Sequence, residues 1–96
     1  MLDALFEWDA RKNTANQRLH GVAFEDAQLA FLDPSRVIAR DDNHSAVEER
    51  YFCIGMVGGG ILTVRYTFRG ERIRIFGAGY CRKGRRIYEE ENRLQE

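Results

Sequence analysis

From Tyr51 to Phe76 the chain alternates apolar and polar residues, and the alternation is self-consistent in one register. With Gly70 and Glu71 as the two central residues of a hairpin turn, Phe68 falls opposite Ile73 and Tyr66 opposite Ile75. Arg69 then faces Arg72 and Thr67 faces Arg74 on the other side. A slip of one residue would turn every side chain over and bury the arginines. The chain is therefore expected to build a sheet with an apolar face, Phe68 buried in it, and an arginine face.

The other elements follow from caps and breakers. Met1–Trp8 shows short alternation and reads as a first strand. Asp9 is a good N-cap for a polar helix that stops at Gly21. Phe24, Ala27 and Phe31 recur at helical spacing, predicting a second helix from Phe24 to Leu32 that Asp33-Pro34 ends. Arg36–Arg40 reads as a strand, and Ser45 as a cap accepting from the amide of Glu48. Gly58-Gly59-Gly60 joins two strands, so it reads as a hairpin turn and not as a phosphate loop, which would open a helix. Gly77-Ala78-Gly79 is expected to break the strand begun at Arg72. Lys83 onward, with Ile87, Tyr88 and Leu94, predicts a C-terminal helix. The order predicts an α+β fold with a mostly antiparallel four- to five-stranded sheet, two N-terminal helices and one C-terminal helix, the helices on one face. Residues 1–96 are long enough for a single domain.

Charge is segregated along this plan. The chain has 15 Lys+Arg and 15 Asp+Glu, yet eight bases and one acid, Glu71, lie between Tyr51 and Tyr88. A neutral protein with one basic stretch carries a local positive field suited to a polyanion or to a strongly acidic protein partner. The acids sit on other elements, which favours anion binding over a salt-bridged polar face. Arg strongly outnumbers Lys, which suits bidentate phosphate contacts. Tyr80 and Tyr51 are candidate stacking surfaces beside the arginines. A hydrophobic content of 44% argues for a folded globule. No apolar run approaches the roughly 20 residues of a membrane span, and the N-terminus lacks the pattern of a signal peptide. A cytoplasmic location follows, in which Cys53 and Cys81 are expected as free thiols, the one within the basic stretch as half-buried filler and not a nucleophile.

No carboxylate pair lies in the basic stretch and no His/Cys/Asp cluster has metal-ligand spacing, so neither metal nor cofactor is expected. Metal-free cleavage of RNA asks for less, because the 2′-oxygen of the RNA is itself the nucleophile. The protein must orient the phosphate, stabilise its growing charge and help move protons. Arginines stabilise charge but are poor acids and bases, which leaves Tyr80, Lys12 or His20 for proton transfer. His20 closes a helix C-terminus, where a protonated ring also suits a capping role. His44 reads as structural.

Several stretches resemble the BrnT family of type II toxins, small ribonucleases with a RelE-like fold. They are Phe6-Glu7-Trp8-Asp9, Lys12, Asn16, His20-Gly21-Val22, Phe24-Glu25-Asp26-Ala27, Asp33-Pro34, His44-Ser45 and Glu48-Glu49-Arg50. Ile54-Gly55, Tyr66-Thr67, Arg69-Gly70, Ile73-Arg74-Ile75 and Tyr88-Glu89 continue the set in the same order. The resemblance implies a cytosolic RNA endonuclease that blocks translation. It also implies a BrnA-like antitoxin with a ribbon-helix-helix part, and operator DNA bound only through the complex. Catalytic candidates are Arg69, Arg74, Tyr80, Arg82, Lys12 and His20. RNA-binding candidates are Arg65, Arg72, Lys83, Arg85 and Arg86. Many members carry an arginine where this chain has Gly79, with Arg82 as its candidate replacement. The alternative is a catalytically weak module that binds RNA or antitoxin and acts mainly in operon autoregulation.

Overall fold

In the computed structural model, which describes residues 5–93, the chain begins with β1 (Phe6–Trp8), α1 (Ala10–His20) and α2 (Phe24–Ala27). It continues through β2 (Val37–Arg40), β3 (Tyr51–Val57), β4 (Gly60–Arg69) and β5 (Arg72–Tyr80) to α3 (Arg82–Arg93). Residues 1–4 of the expected first strand and Leu94 of the expected last helix lie outside the described residues. The fold is α+β, with one five-stranded sheet in the order β1-β5-β4-β3-β2. Every pairing is antiparallel except β1 with β5.

The central hairpin adopts the expected register. Phe68 pairs with Ile73, Tyr66 with Ile75, Arg69 with Arg72 and Thr67 with Arg74. Gly70 takes a left-handed φ of 61°, which a glycine at the first central position of a two-residue loop supplies without strain. The preceding turn is made by Gly58 and Gly59, with Gly60 already in β4 and paired with Val57. Asp9 caps α1 through its carboxylate, accepting from the amides of Arg11 (2.8 Å) and Lys12 (3.3 Å).

Five expectations change. Gly77-Ala78-Gly79 does not break β5. The strand runs on to Tyr80 along the ten-residue β4, and the irregularity is a bulge. Arg65 pairs with Gly77 and Tyr66 with Ile75, so Phe76 is the extra residue. The second helix is α-helical only to Ala27 and tightens into a 3₁₀ turn over Gln28–Leu32. Ser45 caps no helix. Its hydroxyl accepts from the amide of Arg50 (3.0 Å) and donates to the carbonyl of Asp41 (2.7 Å), closing the loop before β3.

The helices also cover both faces of the sheet instead of one. Alternation sends Cys53, Gly55, Leu62, Val64 and Ile75 to the side of α2 and its 3₁₀ turn, where they pack with Phe24, Ala27 and Ala30. Gly55 permits this approach, since a Cβ there would come within 2.5 Å of the Ala30 carbonyl oxygen. On the opposite face α3 packs over Ala39, Phe52, Ile54 and Thr63 through Ile87 and the buried Gly84. A side chain at Gly84 would overlap the hydroxyl of Thr63, so the glycine sets the helix-to-sheet distance. The Tyr88 hydroxyl donates to Asp33 (2.7 Å) and Asn92 donates to the Ser35 carbonyl (3.1 Å), tying α3 to the segment before β2.

Last, Phe68 faces the apolar side as its register requires but is 54% exposed. It ends an aromatic run through Tyr51 and Tyr66 that extends past the helical cover. The buried ring at the centre is Phe24, and its removal is expected to cost about 3–5 kcal/mol.

Candidate active site

Helix α1 is polar all round, and the residues it turns inward are asparagines. Asn13 and Asn16 are both buried. The side chain of Asn13 accepts from the amide of Phe24 (2.9 Å) and donates to Glu25 (2.9 Å), joining α1 to α2. The Asn16 amide serves β5: it donates to the Ala78 carbonyl (2.9 Å) and accepts from the Ala78 N–H (3.1 Å). It also donates to the Val22 carbonyl (2.8 Å). Strand β1 pairs β5 only at Ile73–Ile75, so beyond that point a helix side chain takes the place of a neighbouring strand.

Lys12, Asn16 and His20 follow at spacings of four and so form one stripe on α1. The stripe tracks β5. The Lys12 ammonium lies 5.3 Å from the centre of the Phe76 ring, Asn16 holds Ala78, and the His20 ring lies against Gly79. The guanidinium of Arg50 stacks on the same Phe76 ring at 4.4 Å. Sequence reading missed Arg50. Its signal was position alone, since it precedes β3 by one residue on the arginine side.

Gly77 and Gly79 together make a bare floor. Arg65, cross-strand from Gly77, lays its guanidinium over it: a Cβ on Gly77 would come within 2.7 Å of Nη2. At Gly79 a Cβ would meet the His20 ring at 3.6 Å, an ordinary contact. The result is a cleft of about 380 Å³ whose polar lining comes from Asn16, His20, Thr63, Arg65, Tyr80 and Cys81. Its side chains are basic or neutral, which suits a phosphate. Among the described residues Arg65 and Lys12 make no ion pair, so their charge is available to a ligand.

The other expected site residues lie elsewhere. Arg74 binds Glu7 at 2.8 Å, and Arg72 binds both Glu7 (3.4 Å) and the Phe6 carbonyl (3.1 Å). Arg69 lies 3.9 Å from Glu48, which also holds Arg50 at 3.4 Å. The arginine face is thus partly neutralised, against the expectation that its only acid is Glu71. The parallel pairing of β1, which sets Glu7 beside Arg74, imports the missing carboxylate. The Tyr80 hydroxyl donates to the Val57 carbonyl (3.0 Å), which commits its proton to the backbone. Tyr51 is not beside the arginines. It stacks on Tyr66 on the opposite face, and its hydroxyl donates to Glu49 (2.8 Å).

Arg82, Lys83, Arg85 and Arg86 stand exposed on the first turns of α3, Arg85 paired with Glu89 at 3.4 Å. Arg82 lies beyond Tyr80 from His20, lining a neighbouring cleft, so the guanidinium against the glycine floor is that of Arg65. His44 is held by Asp41 at 2.9 Å, a loop contact. The thiols are free but unequal, and Cys81, expected half-buried, is exposed. Burial pushes the Cys53 thiol up to about 12, whereas exposed Cys81 accepts from the Gly84 amide (3.4 Å) at the start of α3.

A small α+β protein with a basic cleft between an N-terminal helix and the last strand is suited to binding a phosphate group. The chain belongs to the BrnT family, whose model, described as the ribonuclease toxin BrnT of a type II toxin-antitoxin system, matches residues 8–84. The match contains every residue of the cleft. It makes RNA the substrate class and a protein antitoxin the partner. No curated protein matches the chain.

Proposed function

We propose that the protein cleaves RNA without a metal, by attack of the 2′-hydroxyl on the adjacent phosphate, and that this cleavage inhibits translation in the cytoplasm. The observation that carries the reading is the placing of the His20 imidazole and the Arg65 guanidinium at the two glycines of one floor. The phosphate sits in the cleft between the Arg65 guanidinium over Gly77 and the His20 ring against Gly79. Arg65 holds a non-bridging oxygen and offsets the charge that builds on it. His20 takes the proton from the 2′-hydroxyl, and the departing 5′-oxygen, on the far side of phosphorus, takes its proton from water. The bond from phosphorus to O5′ breaks as that to O2′ forms, leaving a 2′,3′-cyclic phosphate and a 5′-hydroxyl. Lys12, over the ring of Phe76 next to Gly77, adds positive charge beside the cleft.

Residues 1–96 act as one domain in this reading. Its partner is a BrnA-like ribbon-helix-helix antitoxin, through which the complex reaches operator DNA. An acidic antitoxin segment competes with RNA for Arg65 and the Arg82–Arg86 segment, and the encounter is steered by charge. Purified protein and RNA in EDTA test the activity. Cyclic-phosphate ends are expected, with His20→Ala and Arg65→Ala each about 10²–10⁴-fold slower. Cleavage that appears only on adding magnesium would overturn the metal-free step. Gly79, where the family resemblance leads one to expect an arginine, favours a second reading, a binding module with little activity. Tight RNA binding without any cut strand would select it.

A further inference from the structure

The cleft beside His20 does not end at Tyr80. A second cleft of about 360 Å³ begins there, and Tyr80 and Cys81 line both. Each volume is at the small end of the roughly 300–1,000 Å³ typical of ligand clefts. Each compartment has its own cations, Arg65 in the first and Arg82 with Arg85 in the second. The partition is held in place. Tyr80 is anchored by its hydroxyl to Val57, and its ring lies so close on Gly60 that a Cβ there would come within 2.9 Å. The rest of the ring is open, the residue being 52% exposed.

We propose that the two compartments take successive nucleotides of an unpaired RNA strand, one on each side of Tyr80, with the strand splayed at that step. The substrate is then single-stranded at the point of binding, and Tyr80 is a positioning residue. The ligand class rests on the nuclease reading above; the strandedness rests on the partition. A fixed aromatic wall between two nucleotides requires their bases to part. Parting costs least where the strand is already unpaired, and an exposed ring face repays part of it by stacking. A duplex meets the wall with both strands stacked and paired.

The test uses the intact protein and a fluorescein-labelled, all-2′-fluoro RNA strand, which lacks the nucleophile, alone or annealed to its complement. Single strand is expected to bind at least about tenfold more tightly than duplex. Tyr80→Ala should bring the two affinities together by weakening the single strand, while Tyr80→Phe keeps the ratio through its ring. Equal affinities in the unaltered protein overturn the proposal, whether or not Tyr80→Ala folds. So does a ratio unchanged in a folded Tyr80→Ala protein. Displacement of the strand by polyglutamate as effectively as by unlabelled strand, with no preference over duplex, makes the groove a protein surface and also overturns it. An all-ribose strand of the same sequence separates this from the nuclease reading. Single-strand preference without cleavage upholds the groove and sinks the activity, and cleavage without preference does the reverse.

Discussion

The side chain of Asn16 exchanges two hydrogen bonds with the backbone of Ala78, 62 residues later, and so stands in for a strand that β1 is too short to provide. Asn16→Ala leaves a buried N–H and two buried carbonyls without this partner. A loss of about 2–4 kcal/mol is expected in urea unfolding. Asn16→Asp should fare no better, because a carboxylate cannot donate to the Ala78 and Val22 carbonyls. Stability within a few tenths of a kcal/mol of the unaltered protein would show the pairing to be incidental.

Gly84 is expected to resist substitution for a reason that a second mutation can remove. Gly84→Ala pushes a methyl group into Thr63 and should destabilise by about 1–3 kcal/mol as α3 lifts from the sheet. Thr63→Ala clears that space, so the double variant should recover most of the loss. A cycle with no coupling between the two sites would refute the contact.

The arginines should separate into two groups. Arg74→Ala removes the closest partner of Glu7 in a pair about three-quarters buried on both sides, so it should lower stability by about 1 kcal/mol. Arg65→Ala makes no such break and should leave the melting temperature in place while weakening RNA binding. Equal melting temperatures with equal RNA affinities would merge the two groups.

Asp33 ties acid stability to the last helix. Burial works against its carboxylate, but the Met56 amide, the Tyr88 hydroxyl, the Ser35 amide and Arg36 outweigh it and hold its pKa below the usual value. A depressed folded pKa means stability that is present above the unfolded pKa, about 3.8, and is lost as pH falls through the lower folded value. Asp33→Asn should therefore flatten the acid limb of a stability-against-pH curve. An acid limb as steep as before would place the titrating group elsewhere.

Thiol labelling should follow exposure. Iodoacetamide is expected to modify Cys81 in the folded protein and to reach Cys53 only after unfolding, since that thiol is buried and pushed up to about 12. Mass spectrometry of the native protein showing both sites modified at one rate would contradict the packing of β3.

What could be read from the chain was whatever its period encodes. The register of Phe68 against Ile73 was legible because strict alternation allows a single consistent pairing around Gly70 and Glu71. Caps at Asp9 and Gly21 were legible because their chemistry is local. The burial of Phe68 was not, because alternation gives a residue's face and says nothing of how far the covering helices reach. The side on which α3 packs depends on how the chain leaves Tyr80, and two small residues, Thr63 and Gly84, settle that. The buried asparagines of α1 leave no apolar stripe, so the helix read only as polar, and the inward placing of Asn13 and Asn16 had no signal beside the candidates Lys12 and His20. Glu7 was seen as one acid among many, because pairing of the first strand with the last is a long-range event with no local signature.

That long-range pairing also decides when the cleft can first form. The cleft needs His20 from the first helix and Gly79 from the last strand, and β1 closes on β5 only after almost the whole chain exists. A fragment that stops short of β5 keeps His20 but has neither Gly77 nor Gly79 beside it, so the proposed phosphate site is inherited only by a chain long enough to pair its first strand with its last.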